Sequence, residues 1–211
     1  MPTVIHKEPW DRDRRLRELG LDREKLIEVV KAMVAARAGC TLNDAKSAAG
    51  FLSWNAGVKG LRMQFRDGWE RETLDGIEVI KHPALRLRVS VMNATSDTGL
   101  TYGSPRNRTP KGAAAGRVVD LNGQMELLPD LDRGKPAMAH DGFSIWYLCV
   151  HDDGGEVRAE LSRPTEFDSD HFVAFNERIF ILGQGEWDDV QWTGPDQDDG
   201  EEFEVDVRRK G

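Results

Sequence analysis

Between residues 22 and 38 the apolar side chains recur at helical spacing. Leu26, Ile27, Val30, Met33 and Val34 fall on one stripe, which predicts an amphipathic helix. Asp22 is placed to cap its start, and Gly39 suits a left-handed residue after its end. Thr41 and Asp44 have the spacing of a capping box opening a second helix, whose small-residue face is Ala45, Ala48, Ala49 and Leu52. A third helical stretch over 53–65 is interrupted by Gly57 and Gly60, each worth about 1 kcal/mol less than Ala in a helix interior. Residues 1–20 are polar, with the run Arg12, Arg14, Arg15, Arg17, and read as a flexible arm or a short helix.

After Trp69 the period becomes strand-like. Asp75-Gly76 is a turn signal before a strand at 77–80. Leu85, Leu87, Val89 and Val91 then alternate with Arg86, Arg88, Ser90 and Met92, the pattern of a half-buried strand with a basic outward edge. Residues 94–116 are rich in Gly, Ser, Thr, Pro and Arg and form a long basic loop. Residues 143–149 are apolar on both faces, as a central strand would be. Asp152-Asp153-Gly154-Gly155 marks a hairpin, after which Val157, Ala159 and Leu161 alternate. Residues 171–175 and 179–182 flank Asn176-Glu177-Arg178 as a second hairpin, and Phe203, Val205 and Val207 predict an edge strand in the tail. Helices followed by strands define an α+β fold. The expectation is a single domain over 1–211, with a helical layer (22–66) packed on a mainly antiparallel sheet (77–207) and an acidic linker at 193–202.

Composition narrows the class. The chain of 211 residues is 39% hydrophobic and 31% charged, enough apolar material for a packed core. No apolar run has the length of a membrane span, and the first residues lack a secretory apolar stretch. Cys40 and Cys149 form no metal-binding pair, which points to a reducing, cytoplasmic setting without a disulfide framework. The net charge of −8 is unevenly distributed: residues 44–118 carry 12 Lys/Arg against 7 Asp/Glu, and residues 119–211 carry 8 against 23. Such polarity suits a partner with its own charge pattern.

Four features carry candidate chemistry. The loop from Ser104 to Gly112 holds Arg106, Arg108 and Lys111, and with Arg86, Arg88 and Arg117 it offers forks and point charges to phosphate oxygens, although no P-loop motif is present. The helical region 22–65 followed by strands is compatible with a winged-helix-like DNA-binding unit, with Lys59, Arg62 and Arg66 on its third helix. The overall acidity argues against that reading. His140-Asp141, His151-Asp152-Asp153 and Asp168-Ser169-Asp170-His171 set imidazoles beside carboxylates, as metal or acid–base sites require, but in no known ligand spacing. From Glu186 to Asp206 ten acidic residues occur with no basic one, and Trp187 and Trp192 lie among them. Asp196, Asp198, Asp199 and Gly200 miss the calcium-loop spacing by one residue.

These features favour a non-catalytic binding protein that docks a macromolecular partner through a polarised surface. The expected basic contacts are Arg86, Arg88, Arg106, Arg108 and Lys111; the acidic ones are Trp187, Asp188, Asp189 and Trp192. A protein partner is expected, with nucleic acid or another polyanion as the alternative ligand of the basic loop, and with no membrane and no cofactor. The rival class is a metal-assisted hydrolase built on His151, Asp153, Asp168 and His171.

Overall fold

The computed structural model describes residues 3–112, 115–117, 119, 122 and 142–190. The expected tail strand, the acidic linker at 193–202, Trp192 and the His140-Asp141 pair lie outside the described residues. The elements are β1 (Val4–His6), α1 (Pro9–Glu18), α2 (Arg23–Ala38), α3 (Ala48–Gln64), β2 (Glu70–Leu74), β3 (Ile77–His82), β4 (Leu87–Asn93), β5 (Ser144–Asp152), β6 (Val157–Asp168) and β7 (His171–Leu182). The strands form one mixed sheet of seven, in the order β1-β7-β6-β5-β4-β3-β2. Helices and this sheet make the fold mixed α and β. Most pairs are antiparallel, but β4 pairs β5 in parallel, as β1 does β7.

Each sheet face has its own core. Leu87, Val89 and Val91 of β4, with Trp146, Leu148 and Val150 of β5, join Leu16, Leu26, Val30, Met33 and Leu61 from the helices. On the other face Met92, Tyr147 and Cys149 pack with Val79, Phe172, Phe175, Ala115 and Val119. Because successive side chains point to opposite faces, covering both faces buries every residue of β4 from Leu87 to Met92. The half-buried reading of this strand is therefore corrected: Arg88 is only 4% exposed, and Leu85 precedes the strand on the surface. β5 is the middle strand of the seven, which accounts for its apolar character on both sides.

Several boundaries differ from the pattern reading. Of the two readings of the first twenty residues the short helix holds over 9–18, because Leu16 and Leu19 are buried in the helix-side core, while β1 pairs with β7. Asp22 caps α2 by accepting from the Lys25 amide. Gly39 keeps right-handed helical angles instead of the left-handed ones expected. Thr41 and Asp44 bond to each other in a turn, and no helix starts there. One continuous α3 replaces the two helices expected over 45–65. Its glycines are approach points: a Cβ on Gly57 would lie 2.7 Å from Met33 Sδ and 3.0 Å from Val91 Cγ2, and one on Gly60 3.3 Å from Val29 Cα. Their bare backbone lets α3 sit against both α2 and the sheet.

The hairpins also shift. Asp75 and Gly76, both at positive φ, close β2 to β3 across the Leu74–Ile77 pair, as a two-residue turn requires. The second hairpin turns at Ser169-Asp170, again at positive φ. Asn176-Glu177-Arg178 lies within the continuous strand β7 and is no turn, because Glu177 and Arg178 pair with β1 and β6. No helix among the described residues is long and apolar enough to cross a membrane.

Candidate binding surfaces

The expected basic contact set does not form one surface. Arg88 belongs to the start of β4 and Arg86 to the turn before it, whereas Arg106, Arg108 and Lys111 follow its far end. Seven residues of strand separate the two ends, roughly 20 Å at a strand's rise per residue. Arg88 is buried against Glu72, which accepts its Nε, and its guanidinium lies 4.5 Å from the Phe143 ring centre. That guanidinium holds the Glu72 carboxyl below its ordinary range. Arg117 meets Asp75.

The basic loop is folded onto the sheet. The Thr95 and Arg108 amides donate to the Arg106 and Asn93 carbonyls, and the Asn107 side chain donates to the Thr109 and Asp170 carbonyls. Two buried arginines of the sheet hold its first half. Arg158 donates to the Ser96 and Thr98 carbonyls. Arg178 donates to those of Leu100 and Gly103 and pairs with Glu160, whose carboxylate also accepts the Gly99 amide. Arg108 spends one N–H on the Asp152 carbonyl, while Arg106 is exposed. Lys111 turns inward over Tyr147, its ammonium 5.9 Å from the ring centre. Burial lowers its pKa, and burial pushes up the Tyr147 hydroxyl and the Cys149 thiol beside it.

The four residues of the hydrolase alternative do not assemble into a metal site. His151 Nε2 is 3.6 Å from Asp153 at the β5–β6 turn. His171 Nδ1 lies 3.1 Å from the Asn107 carbonyl, and Asp168 faces His171 across the other hairpin. Asp153 itself caps a turn: it accepts the Gly155 and Glu156 amides, which bring its pKa down to about 2. Among the described residues no group of three or more His, Cys, Asp or Glu is placed to hold a metal ion.

The winged-helix alternative loses its third helix, since 22–65 holds only α2 and α3. Arg62 is occupied by Glu78, and Arg66 donates to the Met63 carbonyl. On the acidic side Trp187 packs against the helix-side core, with Asp188 and Asp189 exposed on the same turn. Arg23 from α2 grips this turn through Glu186 and the Ile181 carbonyl.

What the sequence reading missed is the outer face of α3. Its inner side carries Ser53, Gly57, Val58 and Leu61. Its outer side carries Leu52, Lys59 and Met63 at helical repeats, with Phe51 and Asn55 beside them. Phe51 is 58% exposed, Met63 52% and Leu52 40%, and Leu42 on the preceding loop is fully exposed. The helix contains no acidic residue, and Lys59 lies among its exposed positions; Lys46 precedes it and Arg66 follows it, alongside the exposed Asp44 and Asp67. The signal was a helix apolar on two sides, obscured by reading its glycines as breaks. No protein-family model, curated protein or solved structure matches the chain.

Proposed function

We propose that this protein is a non-catalytic docking module whose contact face is the outer side of α3. Its partner is a protein segment with apolar anchors and acidic flanks. The observation that carries this reading is the exposure of Phe51, Leu52 and Met63 on a helix whose packed side is already occupied by Ser53, Gly57, Val58 and Leu61. Phe51 and Leu52 group in the first turns of α3, and grouped exposed apolar side chains mark interaction sites more than scattered ones do; Met63 stands further along the same side, roughly 16 Å away at the helical rise. Lys59, on the exposed side of a helix without acidic residues, sets the sign of the partner, since opposite potentials across an interface favour encounter and register.

The test compares the wild-type chain with a Phe51→Ser, Leu52→Ser, Met63→Ser triple variant and with Lys59→Glu, after circular dichroism has established that each is folded. Cross-linking in host extract followed by mass spectrometry should yield protein species captured by the wild type and lost with both variants. An unchanged set of captured species would refute the proposal. Retention of nucleic acid by the wild type and not by Lys59→Glu would move the function to the nucleic-acid class.

A further inference from the structure

A second site lies away from α3. Between α1, α2 and the turn at 183–190 the surface holds a cleft of about 440 Å³, lined by Pro9, Arg12, Arg23, Glu24, Ile27, Lys31, Glu186, Asp189 and Val190. That volume falls in the range of small-molecule sites, roughly 300–1,000 Å³.

Most charges in the cleft are already matched. Arg23 pairs with Glu24 and Glu186, and Lys31 with Glu28. Arg12 differs. It shares a helix face with Leu16 and Leu19 and is only 6% exposed. Its Nε donates to Asp13 at 2.8 Å. Among the described residues its two terminal amino groups make no hydrogen bond and no ion pair, the charge being met by Asp13 through Nε alone. These two groups keep contact with solvent, so a ligand reaching them displaces water rather than protein. Two parallel donors in one plane match the two oxygens of a carboxylate or phosphate. Pro9, Ile27 and Val190 supply apolar wall beside it.

We propose that this cleft binds an oxyanion, a carboxylate or a phosphate group, carried on an apolar or aromatic body. Arg12 takes the oxyanion through its terminal amino groups, and the apolar wall takes the body. The unpaired carboxylate among the lining residues, Asp189, stands at the opposite side of the charge balance and disfavours a ligand with further negative charge near it. The site shares no residue with the α3 face, so either proposal stands or falls without the other.

The probes are phenyl phosphate and benzoate, with inorganic phosphate and acetate as the same groups without a ring. The readout is the Nε–H resonance of Arg12 in the wild-type chain, followed during titration at constant ionic strength. A saturable shift is expected with at least one aromatic probe, at lower concentration than with its ring-less counterpart. Arg12→Lys, which keeps the charge and loses the fork, should weaken binding about tenfold or more. Arg12→Gln should abolish it. Preference for phenyl phosphate identifies a phosphate ligand, and preference for benzoate a carboxylate. Absence of a saturable shift with all four probes overturns the proposal, as does equal binding by a folded Arg12→Gln chain. The wild-type titration decides even where a variant fails to fold.

Discussion

The same substitution at two positions of α3 should change stability in opposite directions. Gly→Ala in a helix interior gains about 1 kcal/mol of propensity, and somewhat less near an end. Gly50 stands in the first turn of α3, where an added Cβ meets nothing within 4 Å. Gly50→Ala should therefore stabilise the protein by about 0.5–1 kcal/mol. At Gly57 the Cβ would fall 2.7 Å from Met33 Sδ and 3.0 Å from both Met33 Cγ and Val91 Cγ2. Met33 and Val91 are fully buried, the first on α2 and the second on β4, so relief requires shifting a helix or repacking the core. Overpacking of this kind costs about 1–3 kcal/mol and in the tighter cases more. With three close contacts from two elements the upper part of that range applies, and Gly57→Ala should lose about 1–2 kcal/mol after the propensity gain. Urea titration at constant m reads both effects as shifts of midpoint in opposite directions. In thermal melts each kcal/mol should move the midpoint by roughly 2–4 °C for a chain of this size. A Gly57→Ala protein as stable as wild type, or a destabilised Gly50→Ala, would refute the claim that close packing rather than flexibility explains the glycine of α3 facing the sheet.

Leu87→Ala and Ile179→Ala, at fully buried positions of the helix-side core, should each cost about 2–5 kcal/mol through lost burial and a residual cavity; losses below about 1 kcal/mol in urea would contradict their placement. Glu160→Gln leaves Arg178 buried without its charge partner and should cost about 3–5 kcal/mol. Because Glu160 also accepts the Gly99 amide, limited trypsin digestion should cut faster after Arg106 in that variant, and an unchanged cutting rate would show that the ion pair does not hold the loop. Burial depresses the Lys111 pKa below its ordinary 10.5. Between the folded value and 10.5 the unfolded chain holds the proton and the folded chain does not, so the Lys111 contribution to stability rises with pH through that window, while the raised Cys149 and Tyr147 groups contribute a fall. Lys111→Met should remove the rising contribution, raising stability at neutral pH and steepening the alkaline fall, which urea midpoints across that range will check.

Much of the fold was legible because its signals are local. The stripe from Leu26 to Val34 forms α2 with its Asp22 cap, and the run at 143–149 became the central strand because a strand covered on both faces has to be apolar on both. Asp75-Gly76 and the turn after Asp152 were readable from turn chemistry alone. What depends on distant partners was not legible. Whether Gly57 breaks a helix or admits a neighbour is decided by Met33 and Val91, one on another helix and one on a strand. Asn176-Glu177-Arg178 has the polarity of a turn, yet it is strand because Glu177 meets Arg15 of α1 and Arg178 meets Glu160. The same holds for the surfaces. Arg88 and Lys111 are cationic in any sequence reading, but their availability depends on what covers them, and the covering layer comes from residues far along the chain. Arg12 shows the converse: its spacing with Leu16 and Leu19 marks the buried face of α1, while the cleft it lines exists only once α2 and the turn after β7 close around it. Charge and periodicity are properties of the chain; burial, and with it the identity of a contact surface, is a property of the packing.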